Sequence, residues 1–529
     1  MLVALLALGL HGILLAGETA AQEPLRTPAE GSDFQRYTSH DEMWGYLDAI
    51  RAGSTDVKVG SYGETWEGRD LPYAIFSRPA VSQPSEAWTL ARPIVVLAAN
   101  VHGGERTLRE SLLILMRDLA TAGSPANSLL DQLVVLTVPQ INPDGFAASP
   151  GGTRGNARGI DLNRDYVKLE HPEIMSYVGN VLRTWQPHLF VDGHNGGSYP
   201  YNLNYQCPSH ADPDPRITLL CDEEIFPAVD RKLEAEGFEA FYYEEGDEEE
   251  WRVGGHEARI GRNYGGFANM VGVLFESPTG GQDLETAVSA GYLGYLAVLE
   301  YAAGNPSRLM ETVMRARRET VLMGMRAEGD VVVEMDYAAE PEPVTYKIAR
   351  STGAGDEAAE PEIVTVEGGR LMKRPVVVKT RPRPWAYILP PEARDAVRML
   401  QRHRIAIEVL REATTLTVDA YTLDGITYEQ AYDHEAAAKV TVGEVVTLDL
   451  EFPPGSFVVS TAQTMGRLVA HMLEPESTDN VVYWNTMDAW LPKARIAAQG
   501  AAVDGPASAL IPIYKLMEAR PLPARLLDP

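Results

Sequence analysis

Four apolar, strand-like runs that each end in polar residues constrain the fold of this chain more than any other feature. The runs with their polar ends are Ile94–Ala99 with Asn100-Val101-His102, Leu133–Val138 with Asn142-Pro143-Asp144-Gly145, Leu189–Val191 with Asp192-Gly193-His194, and Val271–Phe275 with Glu276. Helical segments separate the runs, and this alternation predicts an α/β sheet covered by helices. Ligands of open α/β sheets lie outside the carboxyl ends of the strands, so we expect the polar ends to share one site.

The length and a change in composition predict more than one domain. At 529 residues the chain exceeds what one ordinary hydrophobic core supports. The segment Ala338–Glu362 is rich in charged residues, alanine and proline, as linkers and long loops are. We therefore predict a first, larger domain over residues 30–305, a connecting segment over residues 306–365 and an accessory domain over residues 366–529.

Local patterns predict individual elements in both domains. Ser39-His40-Asp41-Glu42 is a capping box that begins a helix, and Val57–Pro79 is typical of two strands joined by a tight turn. In the accessory domain we expect a mixed α+β, β-rich fold with helices starting near Pro391 and Ala462. Its strand-like runs are Pro375–Lys379, Ile405–Leu410, Leu416–Tyr421, Val445–Phe452 and Phe457–Ser460.

The charge of the chain argues against nucleic acid as a partner. The formal net charge of -28 would repel a phosphate backbone, and no basic stripe in the sequence offsets that field. The acid-rich run Glu244–Glu250 is interpreted as a solvated loop without a function of its own, because charge runs are usually solvated.

The N-terminus predicts export. Leu2–Ala16 is apolar and Thr19-Ala20-Ala21 offers small residues to a signal peptidase, so residues 1–21 are predicted to be a signal peptide of a secreted or periplasmic protein. The apolar stretch is too short to span a bilayer, which needs about 20 residues. We expect no membrane span in the mature protein. The two cysteines, Cys207 and Cys221, form one disulfide or stay as buried thiols, and both alternatives are open.

His102 and Glu105 are the first candidates for a metal site. Hydrolytic zinc takes three protein ligands and keeps one position open, so histidines and carboxylates must come together. In His102-Gly103-Gly104-Glu105 the i, i+3 spacing at a strand-to-helix turn lets both side chains point to one side. The two glycines allow close approach of the backbone. Alone, this short pattern is weak evidence, because it recurs by chance.

Further segments follow this pair in a fixed order. They are Asn142-Pro143-Asp144-Gly145, Arg154-Gly155-Asn156, Gly159-Ile160-Asp161-Leu162-Asn163-Arg164, Asp192-Gly193-His194 and Leu274-Phe275-Glu276. With the entry segment Tyr37–Pro79, this ordered set resembles the zinc carboxypeptidase family, whose best-known member is carboxypeptidase A. The resemblance covers roughly residues 37–280. It implies an α/β/α sandwich with a mixed central sheet, one Zn²⁺ ion, and peptide substrates cut at their C-termini.

The resemblance implies the metal ligands and the catalytic carboxylate. His102, Glu105 and His194 match the residues that bind zinc in the family. Glu276 matches the residue that acts first as general base and then as general acid, taking a proton from water and passing it to the leaving amine. An ionised carboxylate after a buried strand is costly unless it faces a polar site, which favours this role over a structural one.

Two other histidines compete with His194 for the place of third ligand. His188 lies at the opposite end of the same predicted strand, and His171 precedes Pro172 in what reads as a surface turn. We interpret both as structural.

The resemblance also implies roles for residues around the metal. Asp161 would orient His102, because a carboxylate that accepts the far ring N–H fixes the tautomer. Asn163 and Arg164 would grip the terminal carboxylate of the substrate, a task suited to a planar guanidinium. Arg154 would polarise the scissile carbonyl and stabilise the oxyanion.

The sequence departs from the family at two positions. Gly104 stands where carboxypeptidase A has an arginine, and the mobile active-site tyrosine has Tyr264 as its nearest candidate for contacting substrate. These differences bear on strict carboxypeptidase specificity and not on metal-dependent hydrolysis. Two alternatives to carboxypeptidase action are open. One is a zinc-dependent deacylase or cell-wall peptide amidase, and the other is an inactive family member that binds peptides or glycans.

Overall fold

A computed structural model describes residues 25–350, 361–429, 434, 437–491, 502–504 and 510–528. The predicted signal peptide lies outside the described residues. Among the described helices, none is both long enough and apolar enough to cross a membrane.

The described residues form three β-sheets with helices around them. The strands are β1 Val57–Glu64, β2 Asp70–Phe76, β3 Ile94–Ala99, β4 Val134–Val138, β5 Leu189–Gly197, β6 Leu203–Gln206, β7 Ala240–Tyr242, β8 Glu244–Gly246, β9 Glu250–Val253, β10 Val271–Pro278, β11 Asp330–Ala339, β12 Val344–Arg350, β13 Glu362–Pro382, β14 Ala386–Leu389, β15 Glu408–Leu410, β16 Thr414–Glu429, β17 Ala437–Phe452, β18 Phe457–Ser460, β19 Ala502–Asp504, β20 Tyr514–Leu516 and β21 Ala524–Leu526.

The helices vary widely in length. They are α1 Pro28–Gly31, α2 His40–Gly53, α3 Pro84–Thr89, α4 Thr107–Ala120, α5 Pro125–Ser128, α6 Pro143–Ala147, α7 Pro172–Ser176, α8 Arg183–Trp185, α9 Pro215–Leu220, α10 Phe226–Glu234, α11 Gly261–Phe267, α12 Leu284–Gly304, α13 Pro306–Arg326, α14 Arg394–Arg402 and α15 Gly466–Leu473. Short 3-10 segments are Leu129–Asp131, Leu162–Arg164 and Asp488–Trp490, and π-helical segments are Tyr177–Leu182 and Cys221–Ile225.

The central sheet is mixed and has the strand order β1-β2-β4-β3-β5-β10-β6-β7. Strands β4, β3, β5 and β10 run parallel at its centre. Strands β1 and β2 pair antiparallel on one side, and β6 pairs antiparallel with β10 on the other. The four predicted strands are these four central ones, and β3 and β4 are buried at every position, as expected for strands covered on both faces. The predicted α/β class is confirmed.

The two faces of the central sheet belong to different hydrophobic clusters. On one face, Val95 and Leu97 pack in a cluster that includes residues of α2, α4 and α12. On the other, Val96 belongs to a cluster that continues into the C-terminal region as far as Tyr387 and Leu468. The C-terminal region is therefore packed against the central sheet and shares its core.

Helix α2 begins at the predicted capping box. Ser39 Oγ accepts a hydrogen bond from the Glu42 backbone N–H, and the Glu42 carboxylate accepts one from the Ser39 backbone N–H. Two orphan donors of the first turn are satisfied in this way. Strands β1 and β2 are the antiparallel pair predicted for the entry segment.

Part of the predicted connecting segment has regular structure. Residues 306–350 contain α13, β11 and β12, and β11 pairs antiparallel with β13. The acid-rich run, expected to be a loop, instead contributes β8 and the start of β9, which pair as a hairpin. Strand β9 then pairs with β13, so this second sheet joins chain segments from both sides of the predicted boundary. The domain limits themselves stay a prediction.

The C-terminal region is β-rich, as predicted. Its sheet has the order β17-β16-β20-β14-β18-β15-β21, with β19 beside β16. Helices α14 and α15 lie near the two predicted positions. In the N-terminal half, Cys207 and Cys221 form a disulfide, which decides between the two alternatives left open by the sequence.

Candidate active site

His102, Glu105 and His194 converge at the carboxyl edge of the central sheet. The first two lie in the turn between β3 and α4, and His194 lies in β5. Glu105 Oε1 is 2.8 Å from His102 Nδ1, and Glu105 Oε2 is 2.9 Å from His194 Nδ1. The two Nδ1 atoms are 3.2 Å apart. One ligand atom from each of the three side chains can therefore contact a single ion.

The turn that carries His102 and Glu105 is fixed by its neighbours. Asn100 adopts φ 61° directly after β3, and its side-chain amide donates to the carbonyls of His102 and Glu105 at 2.9 and 2.8 Å. A Cβ at Gly103 would lie 2.1 Å from the carbonyl carbon of Gly145. The close backbone approach predicted for this glycine is thus present, and any larger residue would displace the turn.

The far ring nitrogen of each histidine faces a carboxylate. His102 Nε2 is 2.9 Å from Asp161 Oδ1, and His194 Nε2 is 3.1 Å from Asp192 Oδ2. Because an ionised carboxylate only accepts hydrogen bonds, both Nε2 atoms carry the proton in neutral imidazoles. Both Nδ1 atoms then present lone pairs towards each other and towards Glu105. Three electron-rich groups within hydrogen-bonding distance repel one another unless a cation lies among them.

The positively charged side chain of Arg154 lies beside His102 and Glu105. Its Nε donates to Asp161 Oδ2 at 3.0 Å, and an Nη lies 3.3 Å from both Glu105 Oε1 and His102 Nδ1. The side chain is 54% exposed, so it approaches from the solvent side of the site. Burial alone would raise the pKa of Asp161, but its hydrogen bond to His102 and the nearby arginines hold that pKa well below its usual range.

Glu276 faces the three converging side chains from the neighbouring strand. It is the register partner of His194 in the parallel pair of β10 and β5. Its carboxylate is buried, and its Oε2 has no hydrogen-bond partner among the described residues. A Cβ at Gly196 would lie 3.1 Å from this oxygen, so only glycine leaves the carboxylate its full space. Burial raises the pKa of Glu276 above its usual value.

Most of the predicted site residues line one pocket with a volume of about 110 Å³. They are His102, Glu105, Arg154, Asn163, Arg164, His194 and Glu276. Asp161 lies behind His102, and its carboxylate also accepts a hydrogen bond from the backbone N–H of Asn163 at 2.9 Å. The amide oxygen of Asn163 accepts from the backbone N–H of Gly261 at 2.9 Å, which ties this loop to α11.

The structure does not bring Tyr264 into the pocket. Its side chain is fully buried, its hydroxyl lies 3.2 Å from His403 Nδ1, and its ring packs beside Tyr166. The expected substrate contact through Tyr264 is therefore wrong, because α11 turns this side chain towards the C-terminal region. Tyr243 lines the pocket instead.

The two rival histidines lie elsewhere. His188 Nδ1 accepts a hydrogen bond from the Ile94 backbone N–H at the far end of the strands. His171 Nδ1 accepts one from Trp66 Nε1 at 3.0 Å. His171 also belongs to a second group of possible metal ligands, with Glu170 and His434, but the Glu170 carboxylate already pairs with Lys168 at 2.6 Å.

Sequence reasoning missed several residues of the site, among them Asp192, Tyr243 and Arg262. Asp192 stood in a quoted motif without a role, although its position two residues before His194 puts both side chains on one face of β5. Tyr243 and Arg262 line the pocket but belong to no motif with a fixed spacing. The only signal available for them was their residue type, an aromatic hydroxyl and a cation, within the resemblance over roughly residues 37–280.

Known proteins that are similar to this chain include several carboxypeptidases. Residues 43–236 match the model of the zinc carboxypeptidase family, peptidase M14. Carboxypeptidase 2 of Trichophyton rubrum is 25% identical over 466 residues, which cover 84% of this chain and 83% of that protein. Carboxypeptidase D of Drosophila melanogaster is 31% identical over 216 residues, which cover 34% of this chain and 15% of that protein. A solved metallo-carboxypeptidase from Burkholderia cenocepacia is 21% identical, with a TM-score of 0.40, over 50% of this chain and 69% of that one.

The fold and the site define the class as that of the metallopeptidases. The match to the family model is more particular: residues 43–236 carry a zinc carboxypeptidase domain.

Proposed function

We propose that this protein removes C-terminal residues from peptides, with one zinc ion held by His102, Glu105 and His194. The single observation that carries the proposal is the convergence of two imidazole lone pairs and a carboxylate within 3.2 Å of one another. Two histidines and one carboxylate are a donor set that zinc prefers, and three protein ligands leave a coordination position for water.

A zinc ion bound there would act as a Lewis acid and lower the pKa of a water molecule towards about 7. Residues of the chain carry out proton transfer and substrate binding. Glu276 lies beside His194 on the neighbouring strand. Its buried carboxylate takes a proton from the attacking water and passes it to the nitrogen of the leaving amine. Its raised pKa suits this double role, because a carboxyl group with an ordinary pKa is a poor proton donor at neutral pH.

Binding of the substrate falls to other polar residues that line the pocket. Asn163 and Arg164 bind the terminal carboxylate, where a guanidinium can make two parallel hydrogen bonds. Arg154 stands over Glu105 and His102 at the solvent side and stabilises the oxyanion that forms from the scissile carbonyl. Tyr243 takes the place that the sequence suggested for Tyr264 and contacts the substrate from the pocket wall.

The proposal includes export from the cytoplasm. The disulfide between Cys207 and Cys221 supports an oxidising compartment, because cytosolic proteins rarely keep such bonds. The apolar segment at residues 2–16 supports a signal peptide. Mass spectrometry of the protein exported by its native host tests this, with a mature N-terminus near residue 22 as the expected result.

The experiment that tests the function is product mapping by mass spectrometry with the zinc-loaded protein. We expect loss of single residues from peptides with a free C-terminal carboxylate, and no cleavage of the same peptides with a C-terminal amide. Cleavage of N-acyl amino acids or cell-wall peptides in preference to ordinary peptides would replace the proposal by a deacylase or amidase. Binding of peptides without any product would replace it by an inactive binding protein.

A further inference from the structure

A buried arginine, Arg262, forms part of the wall of the catalytic pocket. The residue is 3% exposed, and an Nη atom donates to the carbonyl of Gly255 at 2.5 Å. Its Nε is buried and has no hydrogen-bond partner among the described residues. Within the described ranges, no carboxylate oxygen lies within 4.0 Å of this guanidinium. Among the residues that the structure describes, Arg262 is thus a buried cation without a close counter-ion. Glu257 and Glu276 act on its charge only from beyond that distance.

Such a charge is costly to keep in a folded protein. Buried charges are nearly always paired, because removing an ion from water costs several kcal/mol that only a close opposite charge offsets. Burial lowers the pKa of Arg262 below its ordinary value, and the nearby Glu257 offsets this effect only in part. A pocket wall is the one place where a ligand can supply the missing anion.

The position of Arg262 relative to the proposed base follows from β10. Gly272, Leu274 and Glu276 alternate along one face of this strand. A Cβ at Gly272 would lie 2.4 Å from the Arg262 carbonyl oxygen, so α11 lies directly on this face. Leu274 and Glu276 both line the pocket. The pocket therefore extends from the carboxylate of Glu276 across Leu274 towards Arg262.

Arg262 is also held next to the residues proposed to bind the terminal carboxylate. The preceding residue, Gly261, donates its N–H to the side chain of Asn163, which is adjacent to Arg164 in the chain. In the proposed function, the terminal carboxylate of the substrate lies at Asn163 and Arg164, and the scissile bond lies at Glu276. The side chain of the last residue then lies in the space between these two positions. Arg262 and Leu274 form the walls of that space.

We infer that Arg262 binds the side-chain carboxylate of a C-terminal glutamate or aspartate, so that peptides with an acidic last residue are the preferred substrates. The inference rests on the proposed carboxypeptidase function. A guanidinium and a carboxylate match in planar geometry and opposite charge. Leu274 packs against the methylene part of the same side chain.

The test compares peptides that differ only in the last residue: Glu, Gln, Leu and Lys, each after the same N-acylated dipeptide. Gln has the shape of Glu without its charge, so the ratio of kcat/KM for Glu over Gln isolates the ionic contact. We expect wild-type protein to prefer Glu by about 10- to 100-fold, the range for a hydrogen bond to a charged group. A ratio near one, with all four peptides cleaved, would overturn the inference and leave the proposed function intact. Absence of cleavage of all four would remove the proposed function and this inference with it.

Two substitutions and one control assign the preference to the residue. Arg262→Gln should bring the Glu over Gln ratio close to one, and Arg262→Lys should retain part of it. Arg158, an exposed arginine over Trp66 outside the pocket, is the matched control, and Arg158→Gln should leave the ratio unchanged. A purely structural role for Arg262 lowers kcat/KM for all four peptides equally and leaves the ratio in place, which would contradict the inference.

Discussion

Buried histidines in two regions of this molecule have opposite hydrogen-bonding environments. At the pocket, His102 and His194 each turn their Nε2 to a carboxylate and their Nδ1 to the other ligand atoms. Where the C-terminal region contacts the central domain, His403 donates from Nε2 to the Val167 carbonyl at 2.8 Å. Its Nδ1 accepts from the hydroxyl of Tyr264.

The difference shows what each region is organised to hold. The carboxylates behind His102 and His194 favour positive charge in front of them, which suits a metal ion. The two hydrogen bonds described for the His403 ring are to neutral groups, and burial lowers its pKa to about 3. The pocket is thus prepared for a cation, whereas the contact with the C-terminal region requires a neutral ring.

The largest expected effect in the pocket comes from the carboxylate that is not a ligand. Glu276→Gln should lower kcat by at least about 10³-fold, because the amide cannot accept the proton from water. Zinc content should stay at one ion per chain, since the substitution removes no ligand. Steady-state kinetics with metal analysis checks both. Glu245→Gln, in the exposed hairpin outside the pocket, is the control and should change kcat less than twofold. Substantial activity in Glu276→Gln would contradict the assigned role.

The next effect concerns the carboxylates behind the histidines. Asp192→Asn should weaken zinc binding by about 10- to 100-fold, because the amide is a weaker acceptor for the His194 N–H and makes the ring less basic. Asp161→Asn should act in the same way through His102. Competition with a zinc chelator measures the affinity, and the exposed substitution Asp247→Asn provides the reference. Unchanged zinc affinity in both variants would contradict the contrast drawn between the pocket histidines and His403.

At the contact with the C-terminal region the expected effect depends on pH. The pKa of His403 is about 3 in the folded protein, below the value near 6.5 of an unfolded chain. The unfolded state therefore binds more protons between these values, and stability falls as the pH is lowered through them, by at most about 1.4 kcal/mol per pH unit. His403→Gln keeps a donor and an acceptor but does not titrate. Urea unfolding at pH 7 and pH 4.5 should show a smaller acid-induced loss in this variant than in wild type, and equal losses would contradict the explanation.

The smallest expected effects are those of substitutions that distinguish the roles of Tyr264 and Tyr243. Tyr264→Phe removes the hydroxyl bonded to His403 and should cost about 1 kcal/mol of unfolding free energy, with kcat/KM changed less than twofold. Tyr243→Phe should do the reverse, lowering kcat/KM while leaving stability nearly unchanged. Denaturant titration and kinetics on the same two preparations decide the matter. A strong loss of activity in Tyr264→Phe alone would restore the role first suggested for it.

The central sheet was predictable because its signals are local. The run Ile94–Ala99 is apolar throughout, and β3 has the same limits in the structure. The capping box at Ser39 likewise specifies the start of α2 through contacts three residues apart. Residues 306–350 were harder to predict, since their charged composition resembles a linker while β11 gains its stability from distant pairing with β13.

The site was predictable only where motifs and strand ends coincide. His102 and Glu105 lie in one turn, and the end of a parallel strand brings His194 to them. Tyr264 could not be placed by spacing, because the direction of a helical side chain depends on how α11 rests on β10. Arg262 lies in the same helix. The role inferred for it rests on the absence of a close counter-ion among the described residues, which cannot be seen in a linear sequence.

The central claim is that the three converging side chains hold a metal ion, and zinc stoichiometry tests it most directly. Inductively coupled plasma mass spectrometry of the purified, zinc-equilibrated protein should give one zinc ion per chain. His194→Ala should give much less than one ion per chain, with a circular dichroism spectrum like that of wild type. Wild-type protein that binds no zinc, or a folded His194→Ala variant that retains a full equivalent, would contradict the account.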